Sequence, residues 1–239
     1  MIKLEEVSVI YEQSIHALNK VNLTFSKQKC IGIVGENGSG KSTLLSSLVG
    51  LVEHNGNIYF NDQLLNKKSI SIFREKIGLV FQNPDHMLFL PSVKDNLMFG
   101  LINQGCSQTE IQQRVEEVSK VFHIETLLER NANHLSGGQK RIVSLASVVI
   151  MQPEVLLLDE PSAFLDPKSR RNIINILKGL NQQIIFSTHD LDMALDLCDE
   201  IILLNNGKVI KIGRTQDILL DEKLLLENGL ELPYRYQRS

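Results

Sequence analysis

Two kinds of apolar pattern alternate along the chain, and their order predicts its architecture. Apolar residues at every second position, Val7, Val9 and Tyr11 and then Val21, Leu23 and Phe25, predict antiparallel strands within residues 2–25. Continuous apolar runs follow at Cys30-Ile31-Gly32-Ile33-Val34, Ile77-Gly78-Leu79-Val80-Phe81, Val155-Leu156-Leu157-Leu158 and Ile184-Ile185-Phe186-Ser187. Strands apolar at every position are covered on both faces, as in the middle of a parallel sheet. Between them the spacing becomes helical, with Leu44, Leu45, Leu48, Val49 and Val52 in one segment and Ile142, Val143, Leu145, Ala146, Val149 and Ile150 in another. The pattern predicts an α/β fold with a mainly parallel sheet and an N-terminal antiparallel β-subdomain. Ile58-Tyr59-Phe60, flanked by the turn signals Asn55-Gly56-Asn57 and Asn61-Asp62, joins that subdomain.

From residue 83 to 134 the strand series is interrupted. Pro84 and Pro91 mark loops, Ser107-Gln108-Thr109-Glu110 fits a capping box, and Ile111, Val115, Val118 and Phe122 share one face of the helix that follows. The chain therefore reads as a single domain over 1–239, with a core of 1–82 and 135–239 and a helical subdomain inserted at 83–134. Toward the C-terminus, Asn206-Gly207 turns a hairpin between Ile201-Ile202-Leu203-Leu204 and Val209-Ile210-Lys211-Ile212, and a Leu-rich helix stops near Asn228-Gly229.

Composition narrows the class. A 43% hydrophobic content and a net charge of −3 describe a soluble globular protein, and the lack of a basic run argues against a nucleic-acid partner. Cys30, Cys106 and Cys198 are widely spaced, which predicts reduced, mostly buried thiols and no zinc site. Neither a signal-peptide core nor a run of about 18 apolar residues is visible, so a role in a membrane process is expected to be exerted from outside the lipid.

Candidate chemistry concentrates at strand ends. Gly35, Glu36, Asn37, Gly38, Ser39, Gly40, Lys41 and Ser42 fit the phosphate-binding pattern G-x-x-x-x-G-K-[ST], followed by Thr43. Glycines let consecutive N–H groups converge on phosphate oxygens, Lys41 adds a charge, and Ser42 offers a hydroxyl to Mg²⁺. Ser136, Gly137, Gly138 and Gln139 open a helix whose bare N-terminus suits a second anion contact. Asp159 and Glu160 end an apolar strand; Asp159 suits Mg²⁺ and Glu160 a general base acting on water. His189 ends another strand within reach of a phosphate, and Asp166-Pro167 starts a helix with Asp as its N-cap. Tyr11 is a candidate ring for stacking on adenine.

In this order the motifs resemble the ATP-binding cassette (ABC) family of P-loop ATPases over nearly the whole chain. The resemblance implies that residues 35–42 are the Walker A loop, Gln82 the Q-loop glutamine, 135–139 the signature motif, and 155–159 Walker B. It makes Glu160 the catalytic glutamate, Asp166 the D-loop aspartate and His189 the switch histidine, with Ser42, Gln82 and Asp159 serving the metal. It further implies ATP and Mg²⁺ as cofactors and a head-to-tail dimer with a second ABC ATPase subunit, identical or related. A transmembrane subunit would dock near residues 82–100, placing the chain at the cytoplasmic face of the cell membrane as a peripheral protein.

The segment 81–89 and the ending 224–233 are similar to the ATPases of cobalt/nickel and energy-coupling factor (ECF) importers, which implies uptake of a micronutrient, either a vitamin or a transition-metal ion. Met87, Ser162 and Phe164 depart from that subgroup, where glutamine, threonine and glycine are expected. The competing readings are another ABC importer or exporter, a soluble ABC protein acting on DNA or ribosomes, and a P-loop kinase, which leaves the signature motif without a role.

Overall fold

The structure is a computed structural model that describes residues 1–11 and 15–237. Its N-terminal part is a four-stranded antiparallel sheet of β1 (Ile2–Tyr11), β2 (Ile15–Thr24), β4 (Asn55–Phe60) and β5 (Gln63–Leu64), in the order β2-β1-β4-β5. The core sheet has six strands in the order β10-β9-β3-β8-β7-β6. These are β3 (Cys30–Val34), β6 (Ile77–Val80), β7 (Val155–Asp159), β8 (Gln183–Thr188), β9 (Glu200–Asn205) and β10 (Lys208–Arg214). All its pairings are parallel except that of β9 with β10. The latter is the predicted hairpin, in which Asn206 and Gly207 take φ of 47° and 69°.

The helices are α1 (Lys41–Leu48), α2 (Ile70–Lys76), α3 (Val93–Asn103), α4 (Gln108–Phe122), α5 (Gly137–Val149), α6 (Pro167–Gly179), α7 (Leu191–Leu197), α8 (Thr215–Leu219) and α9 (Glu222–Glu227). Alternation along the core strands sends side chains to opposite layers. Val155 and Leu157 join Ile31, Ile33 and Ile185 in a core shared with α1 and the antiparallel sheet. Leu156 and Leu158 face the other way, toward Ile184, Phe186, α5 and the apolar faces of α3 and α4. The helical insertion therefore has no separate core, and its packing continues that of one face of the parallel sheet.

Some elements differ from expectation. α1 ends at Leu48 because Gly50 takes φ 62°, which leaves Val52 beyond the helix. The Ser107 motif forms only half a capping box: Ser107 accepts from the N–H of Glu110, while the Glu110 carboxylate accepts from Arg114 at 2.6 Å. The complete box occurs between Ser136 and Gln139. The Leu-rich terminal helix is two short ones, because the Asp221 side chain caps a new start by accepting from the N–H of Leu224. Of the three thiols expected to be mostly buried, Cys30 is buried and Cys106 and Cys198 are half-buried.

Candidate functional site

The site lies at the carboxyl ends of β3, β7 and β8, where a parallel sheet presents its strand ends to ligands. The loop after β3 turns sharply into α1. Gly38 and Gly40 take φ of 81° and 104°, and a Cβ on Gly40 would come within 2.4 Å of the Ala17 carbonyl, so both dihedral and space require glycine there. As N-cap of α1, Gly40 has no side chain to accept from the first turn, and the first helical bond recorded is Leu44 N–H to Gly40 O. The N–H groups of Lys41, Ser42 and Thr43 therefore remain available to an anion.

Lys41 is 6% exposed, and its Nζ donates to the carbonyls of Gly35 (2.8 Å) and Glu36 (3.0 Å) within its own loop. Burial pulls its pKa down, with Glu160 and Asp159 opposing that shift. A carboxylate oxygen of Glu160, Oε1, stands 4.0 Å from Nζ. The other, Oε2, lies 2.8 Å from His189 Nδ1 and accepts from the His189 N–H at 3.3 Å. Glu160 is buried and takes φ 47°, an unusual backbone state for a side chain of its size, held by bonds from its N–H to the oxygen and the hydroxyl of Ser187.

Asp159 faces the start of α1. Its Oδ1 accepts from Ser42 Oγ at 2.9 Å and from Ser187 Oγ at 2.6 Å. Two hard oxygen donors thus meet at one point beside the free N–H groups, a fit for Mg²⁺, which takes few protein ligands and completes its shell with water and phosphate oxygens. No group of three or more His, Cys, Asp or Glu suited to a metal occurs among the described residues, so such an ion depends on those outside donors.

A cleft of about 690 Å³ opens over these groups. Lining it are Asn37, Gly38, Gly40, Lys41, Ser42 and Thr43, together with Tyr11, Gln82, Glu160 and His189. The Tyr11 hydroxyl lies 3.3 Å from that of Thr43, which holds the ring at the cleft's edge. Ser39 is buried beneath the loop, and Gly35 is packed so closely that a Cβ would fall 2.1 Å from the Leu204 carbonyl. Glu36 points away from the cleft, against Gly229.

Other predicted residues lie elsewhere. Gly137 lines a separate cleft of about 280 Å³ that shares Gln82, Ala163 and Phe164 with the first. Ser136 and Gln139 cap α5 for each other, and Gly138 packs on α6, where a Cβ would meet Ser169 Oγ at 2.8 Å. A Cβ on Gly137 meets nothing within 4 Å, so nothing inside the chain demands glycine there. Asp166 caps α6, accepting from the N–H groups of Lys168 and Ser169 and from Ser169 Oγ, and these bonds, the hydroxyl's foremost, hold its carboxyl below the usual range.

Two participants were not foreseen. Ser187 faces Asp159 because β7 and β8 pair in that register, a fact no local pattern contains. Arg141 is 4% exposed, and its guanidinium donates to the Phe81 carbonyl at 3.0 Å, just before Gln82. Its position carried a signal: Arg141, Leu145, Val148 and Val149 share the buried face of α5, and a charge on such a face needs partners. Burial lowers its pKa while the charges of Asp159 and Glu160 oppose the shift. Arg141→Gln is expected to cost about 2 kcal/mol or more, because it removes a buried guanidinium whose charge favours two carboxylates and unpairs the half-buried Phe81 carbonyl. That corresponds to a melting temperature lower by roughly 4 °C or more, read by thermal denaturation; an unchanged midpoint would show the guanidinium to be dispensable.

The sequence matches the ABC transporter family over residues 18–163. The chain belongs to that family. It is 34% identical over 238 residues to the ECF transporter ATP-binding protein EcfA of Methanoculleus marisnigri, a match covering 98% of this chain and 86% of the relative. CbiO1 of Clostridium perfringens, described as part of the ABC transporter complex cbiONQ, superposes with a TM-score of 0.83 at 35% identity over 95% of this chain and 93% of its own. A dimeric bacterial ABC transporter cassette, MJ0796, superposes with a TM-score of 0.81 at 32% identity over 90% and 99%. As an ABC transporter ATP-binding protein, the chain binds ATP and is an ATPase whose hydrolysis is coupled to transport. No helix among its described residues is long and apolar enough to cross a membrane.

Proposed function

We propose that this ABC cassette is the energy-coupling subunit of a membrane importer of the ECF or cobalt/nickel type, taking up a vitamin or a transition-metal ion. The observation that carries this reading is an apolar patch on the helical insertion. Phe89 and Phe99 are 61% and 42% exposed, yet their rings meet edge to face with centroids 5.0 Å apart, and Ile102, also on α3, is exposed as well. The patch follows the Gln82 loop, which is tied down on its other side. Lys140 Nζ pairs with Asp85 at 2.6 Å, and Met87 Sδ accepts from the Phe81 N–H at 3.4 Å. A membrane subunit seated on Phe89 and Phe99 would therefore be mechanically continuous with the nucleotide cleft. The likeness to EcfA and CbiO1 supports the importer class.

In this reading the triphosphate lies over the free N–H groups of α1 with Lys41 beside it, and Tyr11 stacks on the base. Ser42 and Asp159, with Gln82 nearby, hold Mg²⁺, which neutralises phosphate charge when bound. Glu160 takes a proton from the attacking water, and His189 holds Oε2 so that the carboxylate stays aimed. Because Ser136, Gly137 and Gly138 lie outside that cleft, a second cassette supplies them to the phosphates, and the open space at Gly137 suits an approaching ligand. The chain then acts as a peripheral protein at the cytoplasmic face of the membrane.

Tagged chain recovered from detergent-solubilised native membranes is expected to bring down a multi-span protein, together with a small substrate-binding membrane protein if the ECF type is right. Phe89→Asp with Phe99→Asp is expected to reduce that recovery at least about tenfold, since each charge must be desolvated at the interface, while ATP hydrolysis by the isolated chain persists. Recovery of soluble proteins alone would overturn the importer reading.

A further inference from the structure

Asp190, next to His189, gathers a polar cluster that the nucleotide chemistry does not use. It is the N-cap of α7, and its Oδ1 accepts from the N–H of Met193 at 2.9 Å. Arg170, near the start of α6, grips the same carboxylate with both arms of its guanidinium: Nη2 donates to Oδ1 at 2.9 Å and Nε to Oδ2 at 2.5 Å. Ser162 Oγ donates to Oδ2 at 3.3 Å, and the Asp190 N–H is itself held by Thr188 Oγ1 at 2.9 Å. A bidentate fork fixes the angle as well as the distance between its partners. The two side chains are 27% and 21% exposed, which lessens screening of the pair by solvent.

Two ties therefore run side by side between the same two loops. One joins residue 160 to 189, with Glu160 Oε2 2.8 Å from His189 Nδ1, and the other joins residue 162 to 190. The His189 side chain is 60% exposed, and among the described residues its ring has no polar contact apart from Glu160. The backbone at 189–190 is accordingly what aims the imidazole, and the bonds of Asp190 set that backbone. We infer that Arg170 is a positioning residue for His189: through Asp190 it holds the turn between β8 and α7 so that the imidazole reaches Glu160. Arg170 itself stands outside the cleft lining. The inference rests on the role given to His189 above.

Steady-state ATP hydrolysis by the full chain over a range of MgATP concentrations tests it, because it separates kcat from KM. A misplacement of about 1 Å at a reacting group costs up to roughly a hundredfold, so Arg170→Gln is expected to lower kcat about tenfold or more. KM should stay within about twofold, since Lys41 and the N–H groups of α1 are untouched. In a His189→Ala background, Arg170→Gln should change single-turnover phosphate release by less than about twofold, because the group it positions is already gone. Should Arg170→Gln fail to fold, Arg170→Lys, which keeps the charge and loses the fork, carries the same test with a smaller loss in kcat. A kcat unchanged by the substitution, a loss carried by KM, or an equal further loss in the His189→Ala background overturns the inference and leaves the role of His189 standing. A His189→Ala chain with wild-type turnover removes that role and the inference with it.

Discussion

Glu160→Gln is expected to lower steady-state ATP hydrolysis by about a thousandfold while leaving ATP bound. The side chain is buried, with Oε2 fixed by His189 and Oε1 directed toward Lys41, so the nearly isosteric amide can occupy the same place. It cannot accept a proton, and a positioned general base contributes roughly 10²–10⁴-fold. Removing a negative charge 4.0 Å from Lys41 also relieves repulsion with the triphosphate, so ATP affinity should hold or rise. Phosphate release and equilibrium nucleotide binding measured on one preparation give both numbers. Turnover at the wild-type rate would reject the assignment of Glu160 as base.

Lys41→Met should act on the other quantity, reducing ATP affinity by roughly ten- to a hundredfold. In the free chain the ammonium is satisfied by the carbonyls of Gly35 and Glu36, and burial makes its charge costly. A phosphate group offers that charge a stronger partner, and a charge-assisted bond in such a setting is worth about 1.5–3 kcal/mol, or roughly ten- to a hundredfold. Lys41→Arg should not restore binding, since the guanidinium is bulkier than the buried ammonium it replaces and donates in a different geometry. Titration of a fluorescent ATP analogue measures the effect; wild-type affinity in Lys41→Met would show that the N–H groups alone hold the triphosphate.

Much of the fold was legible because its signals are local. The continuous apolar runs became β3, β6, β7 and β8, since residues buried on both faces must be apolar at every position. The glycine turn between β3 and α1 was legible for a similar reason: Gly38 and Gly40 occupy dihedrals that glycine accepts at little cost, and the residues around them are contiguous. Illegible features were of another kind. The break between α8 and α9 depends on whether one Asp221 side chain caps a new turn, a choice that periodicity does not encode. At Ser107 the pattern was present, but Glu110 found a better partner in Arg114.

By itself, then, the sequence determined the core strands, the helices that follow the 35–42 loop and Ser136, the Asn206-Gly207 turn, and which residue types stand at the strand ends, because dihedral demands and burial periodicity are properties of neighbouring residues. Only the tertiary structure decided that β7 and β8 pair so that Ser187 meets Asp159, that Arg141 crosses to the Phe81 carbonyl, and that Gly137 and Lys41 open into adjoining clefts. Those outcomes rest on strand register and on the packing of α5 against the sheet. Register and packing are set by the summed fit of residues far apart in the chain, and no single stretch of sequence contains that sum.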